Sequence, residues 1–294
     1  KYAEELQKRD LRLISFEDAL FPQALKTIPD LPVFLTYRGD LSVLQQPCIA
    51  LVGTRNMSVY GQRATEAIVS PLVRAGITTV SGLALGIDAE VARETIKSSG
   101  KTVAALAHGL ANILPNTNTN LGLNIVEKGG LLISEFPLDQ MPDKYAFPAR
   151  NRIIAGLSMA TVVLEAGKGS GALITAELAL EYGRDVYAVP GQMFDKNYAG
   201  CHQIISSGQA KLVTSAVDIL HDLSMQVPDL NQTAFKPRDL VEAKLLQILT
   251  AMPQSTTELM EKTKMEIGAL NAALTMMELA GGAKKIDNGM WVRG

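Results

Sequence analysis

Cysteine is scarce in this chain of 294 residues, which carries only Cys48 and Cys201. Two thiols cannot build a disulfide scaffold, and such scarcity suits a reducing compartment. An excess of one charge is missing too: 28 Lys and Arg stand against 30 Asp and Glu, a net of -2. The overall balance therefore attracts neither nucleic acid nor an anionic membrane, so any basic site must be local. No apolar run approaches the roughly 18 residues of a membrane-spanning helix. The residues after Lys1 do not form a positive-then-apolar leader. Together these absences point to a cytoplasmic protein with no membrane partner.

Several chemical signatures are absent as well. No G-x-G-x-x-G follows the first regular apolar run, which argues against a dinucleotide site. Gly167-Lys168-Gly169-Ser170 holds the letters of a P-loop but not in the order G-x-x-x-x-G-K-[ST], so ATP hydrolysis is not supported. His108, His202 and His221 lack zinc-ligand spacing. No G-x-S-x-G elbow occurs, and no Ser, His and Asp set stands out for nucleophilic catalysis. No catalytic group, metal or cofactor is expected.

What is present is a 47% hydrophobic, 20% charged composition of globular type. At about 150 residues per domain, the length suggests two domains. Short, predominantly apolar runs at 48–52, 77–80, 102–107, 131–133, 161–164 and 185–189 are predicted strands, buried on both faces of a parallel sheet. Helical spacing at 62–74, 88–98 and 172–182 alternates with them, which is the pattern of a doubly wound α/β sheet. Residues 1–45 form a lead-in segment that ends in a strand, and 46–223 form the α/β domain. The proline-bearing stretch 224–237 is a linker. Residues 238–294 hold three helical stretches, near 239–250, 255–262 and 266–280. An Asn288-Gly289 hairpin turn follows, and the whole suggests a winged helix.

Ligands of doubly wound sheets bind beyond the carboxyl ends of the strands. Here those ends read Gly53-Thr54-Arg55, Ser81-Gly82 and Gly167-Lys168-Gly169-Ser170-Gly171. Glycines permit close backbone approach, the following helix N-termini attract anions, and Arg55 offers a fork suited to phosphate. One such turn is ordinary architecture. Three on one edge, with Arg55 and Lys168 among them, favour an anion site. The segment 144–156 is the most distinctive. Lys144, Arg150 and Arg152 cluster beside Phe147, a combination suited to single-stranded nucleic acid. The spacing predicts that Phe147-Pro148 closes an extended stretch and that a helix starts near Arg150. The opposing structural reading buries Phe147 and pairs the arginines with Glu135 or Glu165.

The motifs Val52-Gly53-Thr54-Arg55, Ser81-Gly82-Leu83-Ala84, Gly86-Ile87-Asp88, Phe147-Pro148-Ala149-Arg150-Asn151-Arg152, Ser170-Gly171 and Val189-Pro190-Gly191 occur in this order. The set resembles the DNA-processing protein A family, also called DprA or Smf, from about residue 20 to residue 215. The tail resembles the winged-helix domain of many members. The resemblance implies an extended Rossmann-like fold that binds single-stranded DNA. It implies protection of incoming strands, loading of the RecA recombinase in natural transformation, and a homodimer with no established catalytic activity. It places the strand-holding pocket at Gly53, Arg55, Ser81, Gly82, Lys144, Phe147, Arg150, Asn151, Lys168, Ser170 and Gly171. Arg55, Lys144 and Arg150 would hold phosphates and Phe147 would stack on a base. The sequence departs from the family pattern at Ala92, where a histidine is usual, and at Gly169, where a basic residue is common. Both changes are expected to remove polar groups near the pocket. Leu114 also stands where a tyrosine is common. The rival reading is a nucleotide or nucleoside-phosphate hydrolase on a related scaffold. Such enzymes need an acid by their glycine loop, and 167–171 contains none.

Overall fold

The computed structural model describes residues 2–227, 237–250, 252–286 and 289–293. The chain divides into two compact units, Lys1–Pro228 and Asp229–Gly294. The strands of the first unit are β1 (Arg12–Ser15), β2 (Phe34–Gly39), β3 (Cys48–Gly53), β4 (Thr78–Ser81), β5 (Thr102–Ala105), β6 (Leu131–Ser134), β7 (Ala160–Glu165), β8 (Asp185–Ala188) and β9 (Lys211–Leu212). Its helices are α1 (Tyr2–Lys8), α2 (Gln23–Lys26), α3 (Val59–Arg74), α4 (Ile87–Lys97), α5 (Thr119–Glu127), α6 (Ala146–Leu157), α7 (Gly171–Glu181), α8 (Ala199–Ser206) and α9 (Ala216–Asp222).

One sheet holds all nine strands in the order β1-β2-β6-β5-β4-β3-β7-β8-β9. From β6 to β9 every pairing is parallel, as the continuous apolar runs predicted. Side chains of β3 alternate between two cores. Cys48, Ala50 and Val52 pack with Ile153, Ile154 and Ala176. Ile49 and Leu51 pack with Ile68, Leu72 and Val91 on the opposite face. A strand with period two covered by helices on both sides is the central layer of a doubly wound sandwich. The segment read as a lead-in adds β1 and β2 to the same sheet. β2 runs antiparallel to β6, with Thr36 opposite Ser134.

After β3, successive strands add on one side through β4, β5 and β6, whereas β7, β8 and β9 lie on the other. The chain thus reverses direction between β3 and β7. That reversal opens a crevice at their carboxyl ends, where open α/β sheets receive ligands.

One expectation is corrected here. α6 begins at Ala146, so Phe147 and Pro148 sit in its first turn rather than in an extended stretch. A proline costs little there, because the first N–H groups of a helix have no intrahelical acceptor. The Asp143 carboxylate accepts from the backbone N–H groups of Tyr145 (2.7 Å) and Ala146 (2.9 Å), anchoring the start.

The second unit contains α10 (Leu240–Ile248), α11 (Thr256–Thr263), α12 (Ile267–Leu279), β10 (Ala283–Ile286) and β11 (Met290–Arg293). Leu245, Leu259, Leu270, Leu274, Met277 and Trp291 form its core. α11 opens with a capping box between Ser255 and Glu258. β10 and β11 pair antiparallel, and Gln254 bridges to Trp291, so the three helices and terminal hairpin expected of a winged helix are present. Asn288 of the expected turn and residues 228–236 of the expected linker lie outside the described residues.

Candidate nucleic-acid interface

A cleft of about 400 Å³ opens at the reversal point, within the range of small-molecule sites. The end of β3 supplies Gly53 and the loop after it Arg55, α6 supplies Phe147, Arg150 and Asn151, and the turn into α7 supplies Lys168, Ser170 and Gly171. Local chemistry fixes these loops. Thr54 donates its N–H to the Glu165 carbonyl (2.8 Å), clipping the β3 loop to the end of β7. The Glu165 carboxylate is buried and accepts from the Ser58 N–H at 3.0 and 3.2 Å, and Ser58 caps α3. Burial raises the Glu165 carboxyl above its ordinary pKa. On the far wall Ser170 caps α7, whose N-terminal amides favour an anion. Gly169 holds φ at +73°, a left-handed conformation that disfavours the basic residue common there in the family.

Arg55 and Phe147 meet across the cleft. Arg55 is exposed, Phe147 is half-buried, and the guanidinium carbon lies 4.5 Å from the ring centroid. Neither the solvated ring nor the core ring of the sequence reading describes this residue. Its face carries a cation that is itself planar and able to stack.

Arg150 departs further from expectation. It is 5% exposed, and its Nη1 donates to the carbonyls of Gly82 (2.8 Å) and Ala105 while Nε donates to Asn151 Oδ1 (3.2 Å). Three of its five donors thus bind protein. Asp88, also buried, accepts from the Gly82 N–H at 3.0 Å. Burial raises the Asp88 carboxyl and pulls Arg150 down to about 10, while each opposes the other's shift and Arg150 stays charged at neutral pH. A Cβ on Gly82 would stand 1.9 Å from Arg150 Nη1, so the missing side chain makes room for the guanidinium. Arg150 lines the cleft but primarily ties α6 to the ends of β4 and β5, which is a different task from the expected phosphate contact.

The remaining expected residues divide. Asn151 lines the cleft, and its amide reaches the Gly171 carbonyl at 3.4 Å. Ser81 is buried and donates to the Asp88 carbonyl at 3.4 Å, beneath the lining rather than in it. Gly82 lines an adjoining cavity of about 160 Å³ instead, together with Leu85, His108, Leu114, Pro115 and Pro142. Arg55, Phe147 and Arg150 are common to both cavities. Lys144 is exposed, lines neither cavity, and has its ammonium 4.9 Å from the Tyr145 ring. Arg152 forms ion pairs with Glu135 and with Asp30 (3.4 Å), as the structural reading allowed. Ala92 is core, packed with Leu83 and Leu106, so its replacement of histidine leaves the cleft lining unchanged. Asp88 and Asn197 also line the cleft and were not assigned from sequence. Asp88 was signalled by a carboxylate in the first turn after Gly86. Asn197 arrives from beyond β8 with no local signal.

Residues 12–224 match the model of a family described as DNA recombination-mediator protein A, and residues 232–287 match that of the DprA winged helix domain. Protein Smf of Escherichia coli is 38% identical over 243 residues, covering 82% of this chain and 65% of that protein. The chain thus spans about two thirds of that relative's length. DNA processing protein DprA of Streptococcus pneumoniae is 42% identical over 206 residues, covering 70% of this chain and 72% of that protein. The X-ray structure of the same S. pneumoniae protein superposes with a TM-score of 0.69 at 41% identity, covering 75% of this chain and 77% of that one. A structure of DNA processing protein A from Helicobacter pylori, described for its unique single-stranded DNA binding mode, gives a TM-score of 0.65 at 28% identity and covers 72% and 96%. With most of its length matched in sequence and in fold, the chain belongs to the DNA recombination-mediator protein A family.

Proposed function

We propose that this chain binds single-stranded DNA across the carboxyl edge of its sheet and acts as a recombination mediator. In that role it shields incoming strands during natural transformation and passes them to RecA, working as a cytoplasmic homodimer without cofactor or metal. The observation that carries the reading is the convergence of the stacked Arg55–Phe147 pair, Lys168 and the α7 N-terminus on one cleft. Cations beside a planar stacking face hold backbone and base without selecting sequence. Arg55, Lys168 and the amides after Ser170 are assigned to phosphates, and the Arg55–Phe147 pair to a base. Gly171 keeps its wall low, Gly53 lets the end of β3 pack closely on Ile87, Asn151 and Arg150 line the cleft, and Ser81 and Gly82 support it from beneath and from the adjoining cavity. Lys144, outside the cleft, would meet a neighbouring phosphate. The H. pylori relative, described by its single-stranded DNA binding, supports the assignment.

The hydrolase reading requires a free acid at the cleft. Asp88 does line it, but that carboxylate is occupied by the Gly82 N–H and lies beside the Arg150 charge. Titrating labelled single- and double-stranded DNA of one sequence, alongside an assay for free base released from nucleoside monophosphates, tests both. Single-strand binding without base release is expected. Base release with no oligonucleotide binding would overturn the proposal.

A further inference from the structure

The loop between β8 and α8 carries the two most exposed large apolar side chains described in the first unit, Met193 at 77% and Phe194 at 90%. Scattered apolar residues on a surface need no explanation. This pair differs because the backbone beneath it is tied down. The Tyr60 hydroxyl donates to the Pro190 carbonyl at 3.0 Å, and His202 Nε2 lies 3.2 Å from the Gly191 carbonyl. Asp195 donates its N–H to the Gln192 carbonyl (3.0 Å), and its side chain accepts from the Asn197 N–H at 2.9 Å. Tyr198 is fully buried and packs edge-on against Tyr60, with centroids 5.3 Å apart. A turn held at both ends projects an aromatic ring into solvent.

The loop also touches the cleft. Asn197 lines it, and a Cβ on Gly167 would lie 3.1 Å from the Lys196 carbonyl, so the loop forms the rim beside Lys168. Lys196 is exposed two residues after Phe194. In sheet order the small apolar cavity follows β4 and β5, the cleft follows β3 and β7, and Phe194 follows β8. From β4 to β8 is three strand spacings, or about 14 Å at the usual separation. That is room for more than one base along a continuous edge.

We infer that Phe194 is a second stacking platform for single-stranded DNA, taking the base next to the one held at Arg55 and Phe147, with Lys196 and Lys168 flanking the intervening phosphate. The inference rests on the single-strand reading of the cleft. An exposed aromatic beside cations is the element that sequence-tolerant single-strand binders repeat along a strand.

The full chain tests this with a labelled oligothymidylate followed by fluorescence anisotropy. Phe194→Ala, which removes nothing from the core, is expected to weaken binding about tenfold, and Phe194→Trp to keep wild-type affinity. The chain's single tryptophan, Trp291, is buried in the second unit. The emission added by Phe194→Trp is therefore read by difference, and it is expected to be quenched when the oligonucleotide saturates. Arg55→Glu is the control that separates the two ideas. If Arg55→Glu abolishes binding while Phe194→Ala stays within twofold and Phe194→Trp is unquenched, the second platform is overturned and the cleft assignment stands. If Arg55→Glu leaves binding intact, the cleft assignment fails and this inference with it. If Phe194→Ala spares affinity but alters the sedimentation of the free protein, Phe194 belongs to a contact between copies and the inference is likewise overturned.

Discussion

The guanidinium of Arg55 lies 4.5 Å over the Phe147 ring, joining the loop after β3 to the first turn of α6. The contact orients both side chains at the cleft. Phe147→Ala is expected to cost about 1–3 kcal/mol of single-strand affinity, the scale of one stacking contact. Arg55→Ala is expected to weaken binding too, but the double variant should lose less than the two single losses added together. Groups in contact are not independent, so a double-mutant cycle on oligonucleotide affinity measures the shared part. Additivity within about 0.5 kcal/mol would show that the two act separately.

Arg150 is expected to act through stability. Its guanidinium bridges the Gly82 and Ala105 carbonyls next to buried Asp88. Arg150→Met leaves those carbonyls without their donor and removes the charge that favours the Asp88 carboxylate, and a buried polar group left unsatisfied costs about 1–3 kcal/mol. Thermal unfolding followed by circular dichroism should show a clear fall in midpoint. An unchanged midpoint with lost DNA affinity would restore the phosphate role.

The contrast between these two arginines marks what the sequence could convey. The strands of the parallel sheet are legible because each is a short, mostly apolar run rich in β-branched residues, as in residues 48–52 and 161–164. The cleft was legible in outline because glycines end those runs. Contacts were not. Arg55 and Arg150 look alike in a sequence, and only the fold brings carbonyls from two strands to one and an open cleft to the other. The start of α6 differs from the sequence reading because a residue before proline is biased towards extended backbone, so Phe147-Pro148 reads as the end of an extended stretch, whereas in a first turn proline is tolerated. Ala92 was set beside the cleft by analogy, but α4 turns that position into the core.

Glu165 gives a pH dependence of definite sign. Its carboxyl is raised in the folded protein, chiefly by burial, so the native state binds more proton than the unfolded chain above the ordinary glutamate range. Its contribution to stability therefore falls as pH rises through that window and is most favourable below it. Glu165→Gln keeps an oxygen for the Ser58 N–H without the charge. The stability of wild type relative to Glu165→Gln, measured by urea unfolding from pH 4 to 7, should fall with increasing pH. A difference that stays constant or rises would contradict the burial argument.

The second unit is expected to bind duplex DNA weakly. Residues 238–294 carry seven basic and seven acidic residues, and α12 has no Lys or Arg. Winged helices read duplex through such a helix, and this one exposes Ile267, Met276 and Leu279 instead. Ending the chain at residue 227 should leave single-strand affinity within about twofold. Tight duplex binding by residues 229–294 alone would oppose this and direct attention to Lys284 and Lys285.

The central claim is that a local cation cluster holds a single strand on a chain of net charge -2. Its most direct test is the salt dependence of oligothymidylate affinity for wild type, Arg55→Glu and Lys97→Glu. Lys97 lies on α4, paired with Glu94 at 2.9 Å and outside the cleft. Each phosphate contact on a single strand contributes about -0.7 to the slope of log K against log salt. Wild type should weaken steeply with salt, Arg55→Glu should bind far less tightly with a slope shallower by about 0.7 or more, and Lys97→Glu should match wild type. An affinity independent of salt, or equal losses from Arg55→Glu and Lys97→Glu, would contradict the account.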